Sequence, residues 1–369
     1  MQISSVYIWD IKDDSRLDLK VGTSTILEKI VEAFPVCDTI KSSLVLNSRA
    51  ILTPELKSKI LTLSSREVIF YKDNFICAII EDPILFDVDK INKRSFWEKA
   101  GYKILSMDLF YIEYPWDVIK FNSELIIKEK DLFISDNNIN FKNIDIIGDK
   151  KNFIVGKNLK ITGNIVIDVS SGPVIIEDNV EIKYPSIIEG PVFIGRNSLI
   201  DGAKIRPGTT IGNNCKIAGE AANSIFHSFS NKHHDGFIGH SYIGSWVNLG
   251  AMTTNSDLKN NYHPVKVNYH GEIIHTNELK LGCFIGNYTT LGIGSLIPTG
   301  AFISPCCNIF GGGMIDKYYP AFVWHDTASK KHKKYKLDEA LGTYEIMYKR
   351  RGQEFTQEVR AKLENLFSR

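Results

Sequence analysis

Three polar stretches stand out in a region otherwise rich in Ile, Val and Gly: RPG at 206–208, GEAANSIFHSFSNKHHDGF at 219–237 and WVNLGAMTTNS at 246–256. They contain the residue types of proton transfer and anion binding. A neutral histidine titrates near physiological pH and can take a proton from an attacking group. A carboxylate can orient the ring and stabilise the imidazolium. An arginine can grip a phosphate through two parallel hydrogen bonds, and an asparagine side chain both donates and accepts. Within these stretches Glu220 precedes His234 by fourteen residues.

Positioning such groups falls to the repeat around them. In 279–311, Leu279, Ile285, Leu291, Ile297, Ile303 and Ile309 recur every six residues. A helix needs apolar residues every three to four positions and a half-buried strand every two, so neither fits. A period of six marks one face of a coiled prism with several strands per turn. The same period runs through Val155, Ile161 and Ile167, through Ile176, Ile182, Ile188, Ile194 and Ile200, through Leu199, Ile205, Ile211 and Ile217, and through Phe237, Ile243 and Leu249. Phase slips between these runs read as turn insertions. Ile-Gly pairs such as 194–195, 211–212 and 285–286 place a residue without Cβ where the backbone turns a corner. The spacing predicts a parallel β-helix of about eight turns. Only 253–278 breaks it, a polar insertion of the kind that collects on one face and often carries function.

The whole chain is 369 residues long, 43% hydrophobic and 24% charged, enough for two or three domains with a large core. A net charge of +1 gives no global attraction to nucleic acid or to a membrane surface, and no apolar run is long enough to span a bilayer. The first residues, MQISSVYIWDIKDDSR, lack the pattern of a secretory leader, so a cytoplasmic location is expected. Six cysteines, including adjacent Cys306 and Cys307, have no metal-ligand spacing and are expected to pack as small apolar residues.

Residues 1–135 alternate strand-like segments (SVYIWD, SLVLN, EVIFY, FICAII) with helical ones (STILEKIVEAF, TPELKSKILTL, SFWEKAGYKIL), the pattern of an α/β sheet domain. Thr23, Ser24 or Thr25 could cap the first helix. The segment DIKDDSRLDLK after the first strand has no glycine-rich phosphate loop. The β-helix is then placed at 136–313, and 314–369 forms a C-terminal helical segment. There SKKHKKYK reads as a solvated entry to a helix carrying Leu337, Leu341, Tyr344 and Tyr348, and Thr356 caps a second helix with Val359, Leu363 and Phe367. These helices are expected to pack back on the β-helix or across a subunit boundary.

LKVGTSTILEKIVEAF, VLNSRAILTPEL and YPWDVIKFNSELI, followed by the hexad repeat, resemble a bacterial sugar nucleotidyltransferase-like family. That family is related to the bifunctional N-acetylglucosamine-1-phosphate uridylyltransferase / glucosamine-1-phosphate acetyltransferase. The resemblance implies a left-handed β-helix and a degenerate nucleotidyltransferase-like first domain. Where an active relative has a Mg²⁺-binding Asp, this sequence has Asn47-Ser48-Arg49, and an arginine there repels a divalent cation. Mg²⁺ is therefore expected only if the first domain is active.

The same resemblance places the acetyltransferase site on Arg206, Glu220, His234 and Asn248, with His234 and Glu220 catalytic and Arg206 and Asn248 binding substrate. Asn255 matches a further substrate-binding asparagine. Two positions depart from the family: Ala222 stands for a phosphate-contacting lysine and Phe237 for a tyrosine, with Lys232 a candidate for the missing positive charge. His233 and His240 read as surface residues. Relatives of this type are trimers with sites between neighbouring prisms, so a homotrimer is implied, with loop 253–278 reaching the neighbour. Acetyl-CoA would lie beside coils near Asn287 and Thr299. The leading expectation is an acetyl-CoA-dependent N-acetyltransferase acting on an amino-sugar phosphate or sugar nucleotide for cell-envelope precursor synthesis. A sugar-1-phosphate nucleotidyltransferase and an inactive trimeric scaffold or sugar-nucleotide sensor are the alternatives.

Overall fold

The computed structural model describes residues 5–9, 20–25, 29–30, 33, 43–80, 90–136, 142–329 and 331–368. The chain forms two compact units, Met1–Phe121 and Asn122–Arg369. The first is built on a mixed five-stranded sheet in the order Ser5–Trp9, Ser43–Asn47, Asn74–Ile80, Glu67–Tyr71, Lys103–Ser106. All four strands read from the sequence are present. Thr53 caps the helix Pro54–Leu61 by accepting from the Leu56 N–H at 3.2 Å, and proline occupies its first turn, where the missing N–H costs nothing.

The reading of SFWEKAGYKIL as one helix is corrected. Arg94–Lys99 is helical, Gly101 takes φ +78° and turns the chain, and Lys103–Ser106 joins the sheet edge beside Glu67–Tyr71. The segment DIKDDSRLDLK, apart from its last residue, lies outside the described residues, as do residues 26–28 of the first expected helix; of its expected caps, Thr23 lies in a turn and Ser24–Thr25 pairs as a short strand with Lys20–Val21.

The second unit is a parallel β-solenoid with three faces. On the first face a nine-stranded ladder stacks Val155, Ile176, Ile194, Ile211, Phe226, Ile243, Ile285, Ile303 and Tyr319 directly over one another. These side chains are buried in one continuous core with those of the other two faces. The solenoid thus has more turns than the eight expected. It also runs past 313, through Tyr318–Tyr319 and Val323–Asp326.

The phase of three hexads is corrected. Ile200, not Leu199, points inward beside Ile182 and Ile217. Ile238, not Phe237, packs inside beside Ala221. Leu279 is exposed, and the ladder resumes after it at Cys283–Ile285. The physical reason is uneven corners: consecutive coils lose or gain a residue at a turn, so strict counting by six slides off the inward face. The polar insertion also begins later than 253, because Thr254–Asn255 still pairs with Ser295–Ile297, and part of it is a hairpin, Lys266–Tyr269 with Glu272–His275.

One corner follows the first face by three residues in every coil and is left-handed throughout. Asn158, Asn179, Asn197 and Asn214 occupy it first, then Phe229, Trp246, Tyr288, Cys306 and Phe322, all at φ between 56° and 66°. Asparagine tolerates this conformation, whereas bulky residues do so only when packing holds them there. Here the C-terminal helices do so. Trp246 is sandwiched between Phe229 (4.3 Å between ring centroids) and Tyr348 (4.1 Å), and Phe367 meets Phe322 edge-on at 4.9 Å. Leu341, Tyr344 and Leu363 complete that cluster, so the helices Leu337–Arg350 and Gln357–Ser368 pack back on the solenoid as expected. Thr356 caps the second of them at Val359 N, 3.3 Å away. SKKHKKYK is not a helix entry: Lys331–Lys334 is a strand antiparallel to Val323–Asp326.

Candidate functional site

The third face carries a charged ladder. Arg206, just past the strand Leu199–Ile205, reaches Glu189 Oε1 with Nη1 at 2.7 Å and Glu220 Oε1 with Nε at 3.1 Å. The Glu220 hydrogen bond raises the Arg206 pKa further above its ordinary value. Two of the expected site residues are therefore in direct contact. The residue stacked beside Glu220 in the ladder is Phe237, and the carboxylate engages arginine, not the His234 ring.

Lys232 departs from its expected role. It occupies an inward ladder position, paired with Ile217 on one side, and is 1% exposed. Its Nζ donates to the carbonyls of Ala218 (3.3 Å) and His234. Gly219 makes room for it, since a Cβ there would stand 2.9 Å from Nζ. Burial lowers the Lys232 pKa to about 8, against the opposing pull of Asp235. The ammonium is an interior brace for the backbone of His234 and is not presented to a ligand.

His234 itself is exposed at the corner between the second and third faces, its ring 5.9 Å from that of His233. Among the described residues no side chain hydrogen-bonds that ring. Two nearby histidines are instead paired with carboxylates. His233 Nε2 lies 3.0 Å from Asp201 Oδ2, and His240 Nδ1 lies 2.7 Å from Asp257 Oδ2. The His240 hydrogen bond holds the Asp257 carboxyl below its usual range. Reading both as plain surface histidines missed these dyads.

The remaining expected residues are dispersed. Asn248 faces outward on the second face, where its Oδ1 is 3.4 Å from Asn231 Nδ2. It lines a cleft of about 360 Å³ with Lys216, Arg350 and Arg351, and Arg351 donates to Asn231. Asn255 is buried and its amide is committed to the coil: Oδ1 accepts from Gly239 N at 2.7 Å while Nδ2 donates to Gly239 O at 3.0 Å. Asn287 accepts from Ser245 N at 2.8 Å on one corner, and Thr299 is buried after the third-face strand Ser295–Ile297. The coil thus brings Arg206 and Glu220 together and leaves Asn255, Asn287 and Thr299 apart from them.

Glu189, Asp201 and Asp257 were absent from the sequence-derived set. Their signal is the coil length itself: Glu189–Arg206 and His240–Asp257 are 17 apart, and Lys183–Asp201 is 18 apart. In the first unit, Asn47 is fully buried. Its Nδ2 donates to Phe75 O at 2.7 Å and its Oδ1 accepts from Arg49 N at 2.9 Å. That side chain closes a strand end, and no carboxylate stands beside it in the Asn47-Ser48-Arg49 run.

The sugar nucleotidyl transferase family profile matches residues 18–138. The uncharacterized acetyltransferase YaiX of Escherichia coli O6:K15:H31 (strain 536) is 36% identical over 168 residues, 45% of this chain and 73% of that protein. The chain belongs to the GlmU-related family of hexapeptide-repeat acyltransferases. The acyltransferase is also 31% identical over 172 residues to the bifunctional protein GlmU of Thermodesulfovibrio yellowstonii, a match covering 46% of this chain and 34% of GlmU. A longer match, 29% identical over 280 residues, links it to GlmU of Methanococcus vannielii and covers 71% of this chain and 59% of that one. Among the described residues of the acyltransferase no helix is long and apolar enough to cross a membrane.

Proposed function

We propose that the acyltransferase moves an acetyl group from acetyl-CoA to the amine of an amino-sugar phosphate or nucleotide-linked amino sugar, with His234 as proton acceptor. The supporting observation is the setting of His234, whose ring is exposed at a coil corner while its backbone is braced from within by Lys232. A thioester is already activated, so the attacking nitrogen needs only to lose a proton, which a neutral imidazole takes. Arg206 lies between Glu189 and Glu220, and exchanging one carboxylate for a phosphate would keep its charge-assisted hydrogen bonds. Glu220 serves to hold Arg206. Asn248 would meet sugar hydroxyls. Products of this class feed cell-envelope precursors. A flat-sided prism supplies part of a pocket, so the working form is a homotrimer, with the insertion after Asn255 reaching the neighbouring chain. Sedimentation as a monodisperse monomer at micromolar concentration would remove the shared site.

A second assignment of the base is favoured by the short His240–Asp257 contact, because Asp257 fixes the tautomer and leaves Nε2 as acceptor. Thiol release from acetyl-CoA against a panel of amino-sugar phosphates and nucleotide-linked amino sugars decides. His234→Ala should lower turnover by ~10²–10⁴-fold, with His240→Ala near the parent. The reverse pattern moves the role to His240. No thiol release with any acceptor would favour the scaffold.

A further inference from the structure

The C-terminal end of the solenoid holds a side-chain cluster that acyl transfer does not use. On the second face the inward ladder passes through Leu249, Leu291 and Ile309, and its last rung is His325, which is 3% exposed. An imidazole thus stands where every rung from Leu249 on is aliphatic. The strand Lys331–Lys334 folds back and sets His332 opposite His325, with ring centroids 4.1 Å apart. Asp316, beyond the strand Gly313–Met314, brings Oδ2 to 3.3 Å from His332 Nε2. One ligand atom from each of the three residues lies within 4.8 Å of the other two.

We propose that Asp316, His325 and His332 bind a transition-metal dication, with Zn²⁺ the best match. His325 Nδ1 lies 3.2 Å from the Lys331 carbonyl oxygen, which can only accept, so Nδ1 carries the proton and Nε2 the lone pair. A buried imidazole with its other nitrogen fixed to a backbone carbonyl is how proteins hold a ligating histidine. Zinc bonds of about 2.0–2.1 Å put tetrahedral ligand atoms roughly 3.3 Å apart. The Asp316–His332 pair already has that spacing. Both side chains are well exposed, at 64% and 43%, so a turn of the His332 ring off its stack closes the rest of the gap.

The donor set also selects the ion. Two imidazoles and one carboxylate suit Zn²⁺, Co²⁺, Ni²⁺ or Cu²⁺, whereas Mg²⁺ and Ca²⁺ require oxygen ligands. Lys317, Lys331 and Lys333 lie next to the ligands in sequence and disfavour any cation held by charge alone. The bound ion would fasten the turn at Asp316 and the back-folded strand to the last coil, leaving a fourth position for water.

The test uses the untagged full chain, stripped with a chelator and titrated with Zn²⁺, Co²⁺ and Mg²⁺ near neutral pH. One Zn²⁺ equivalent should bind, raise the thermal midpoint and give a four-coordinate Co²⁺ absorption band, with no response to Mg²⁺. His332→Ala and Asp316→Asn should each weaken that equivalent by about ten-fold or more and abolish the midpoint shift. Both positions are exposed, so these variants should fold, which circular dichroism checks. Unchanged Zn²⁺ affinity in both variants, or no Zn²⁺ equivalent in the parent, overturns the site. None of the three residues takes part in the proposed acyl transfer, so that result is independent of it.

Discussion

The ammonium of Lys232 donates, from inside the solenoid, to the carbonyl of His234 two residues further along the chain. A charge in the apolar bore is costly unless its donors are satisfied, and the carbonyls of Ala218 and His234 supply acceptors. The corner that carries His234 is thereby fixed to the coil beneath it.

Burial lowers the Lys232 pKa from 10.5 to about 8, which makes stability depend on pH. Below pH 8 the folded and unfolded chains both hold the proton, and the full cost of burying the charge is present. Between pH 8 and 10.5 the folded chain has released it and the unfolded chain has not, so stability rises through that window. Relative to Lys232→Met, the parent should therefore gain up to roughly 3 kcal/mol from about pH 7 to about pH 10.5. Urea denaturation of both proteins across that range measures it. A difference that stays flat with pH would mean the ammonium is solvated.

Arg206→Ala should raise KM for a phosphorylated acceptor by roughly ten-fold or more, as expected for losing a charged hydrogen bond, with a smaller change in kcat. It also leaves Glu189 and Glu220 facing each other without their cation. Because all three side chains are about a third exposed, the stability loss should be about 1 kcal/mol or less. Steady-state kinetics and a thermal melt separate the two effects.

Trp246→Asn gives the corner a residue suited to φ 61° but removes the ring between Phe229 and Tyr348. Packing should win, with a loss of about 3 kcal/mol by denaturant unfolding. Asn214→Ala, at the same corner with no aromatic partner, should lose only ~1 kcal/mol through backbone strain.

The first unit should release no pyrophosphate from a nucleoside triphosphate and a sugar-1-phosphate in the presence of Mg²⁺. Asn47 is spent on Phe75 O and Arg49 N, and a carboxylate would be needed to hold the ion. Turnover near an ordinary enzyme rate of ~10 s⁻¹ would overturn this.

The architecture was legible because six-residue periodicity reports directly on inward positions, and the α/β pattern of the first unit is a local property of its strands and helices. Phase was harder to read. Phe237 and Ile238, like Leu199 and Ile200, are adjacent apolar residues, and only the length of the intervening corner decides which enters the bore. The site was half legible. Arg206 and Glu220 meet, but the fourteen-residue interval to His234 does not bring that ring to the carboxylate, because the coil places Phe237 beside Glu220. The His240–Asp257 dyad and the inward turn of Lys232 depend on stacking between coils, which residue types alone do not encode.

The change from asparagine to aromatic residues along the left-handed corner has a consequence for how the solenoid opens. Coils from Asn158 to Asn214 expose a polar seam, while those from Phe229 to Phe322 are clad by two helices. Repeat arrays share stability only with their neighbours, so unequal cladding divides them into separate cooperative blocks. Amide hydrogen exchange should reveal two tiers of protection with the step near Phe226, and the slow tier should collapse in a chain ending at residue 335. Fraying would then begin in the asparagine-edged coils and stop at the histidine corner, so that the residues proposed for acyl transfer would sit on the boundary between a labile and a persistent foldon.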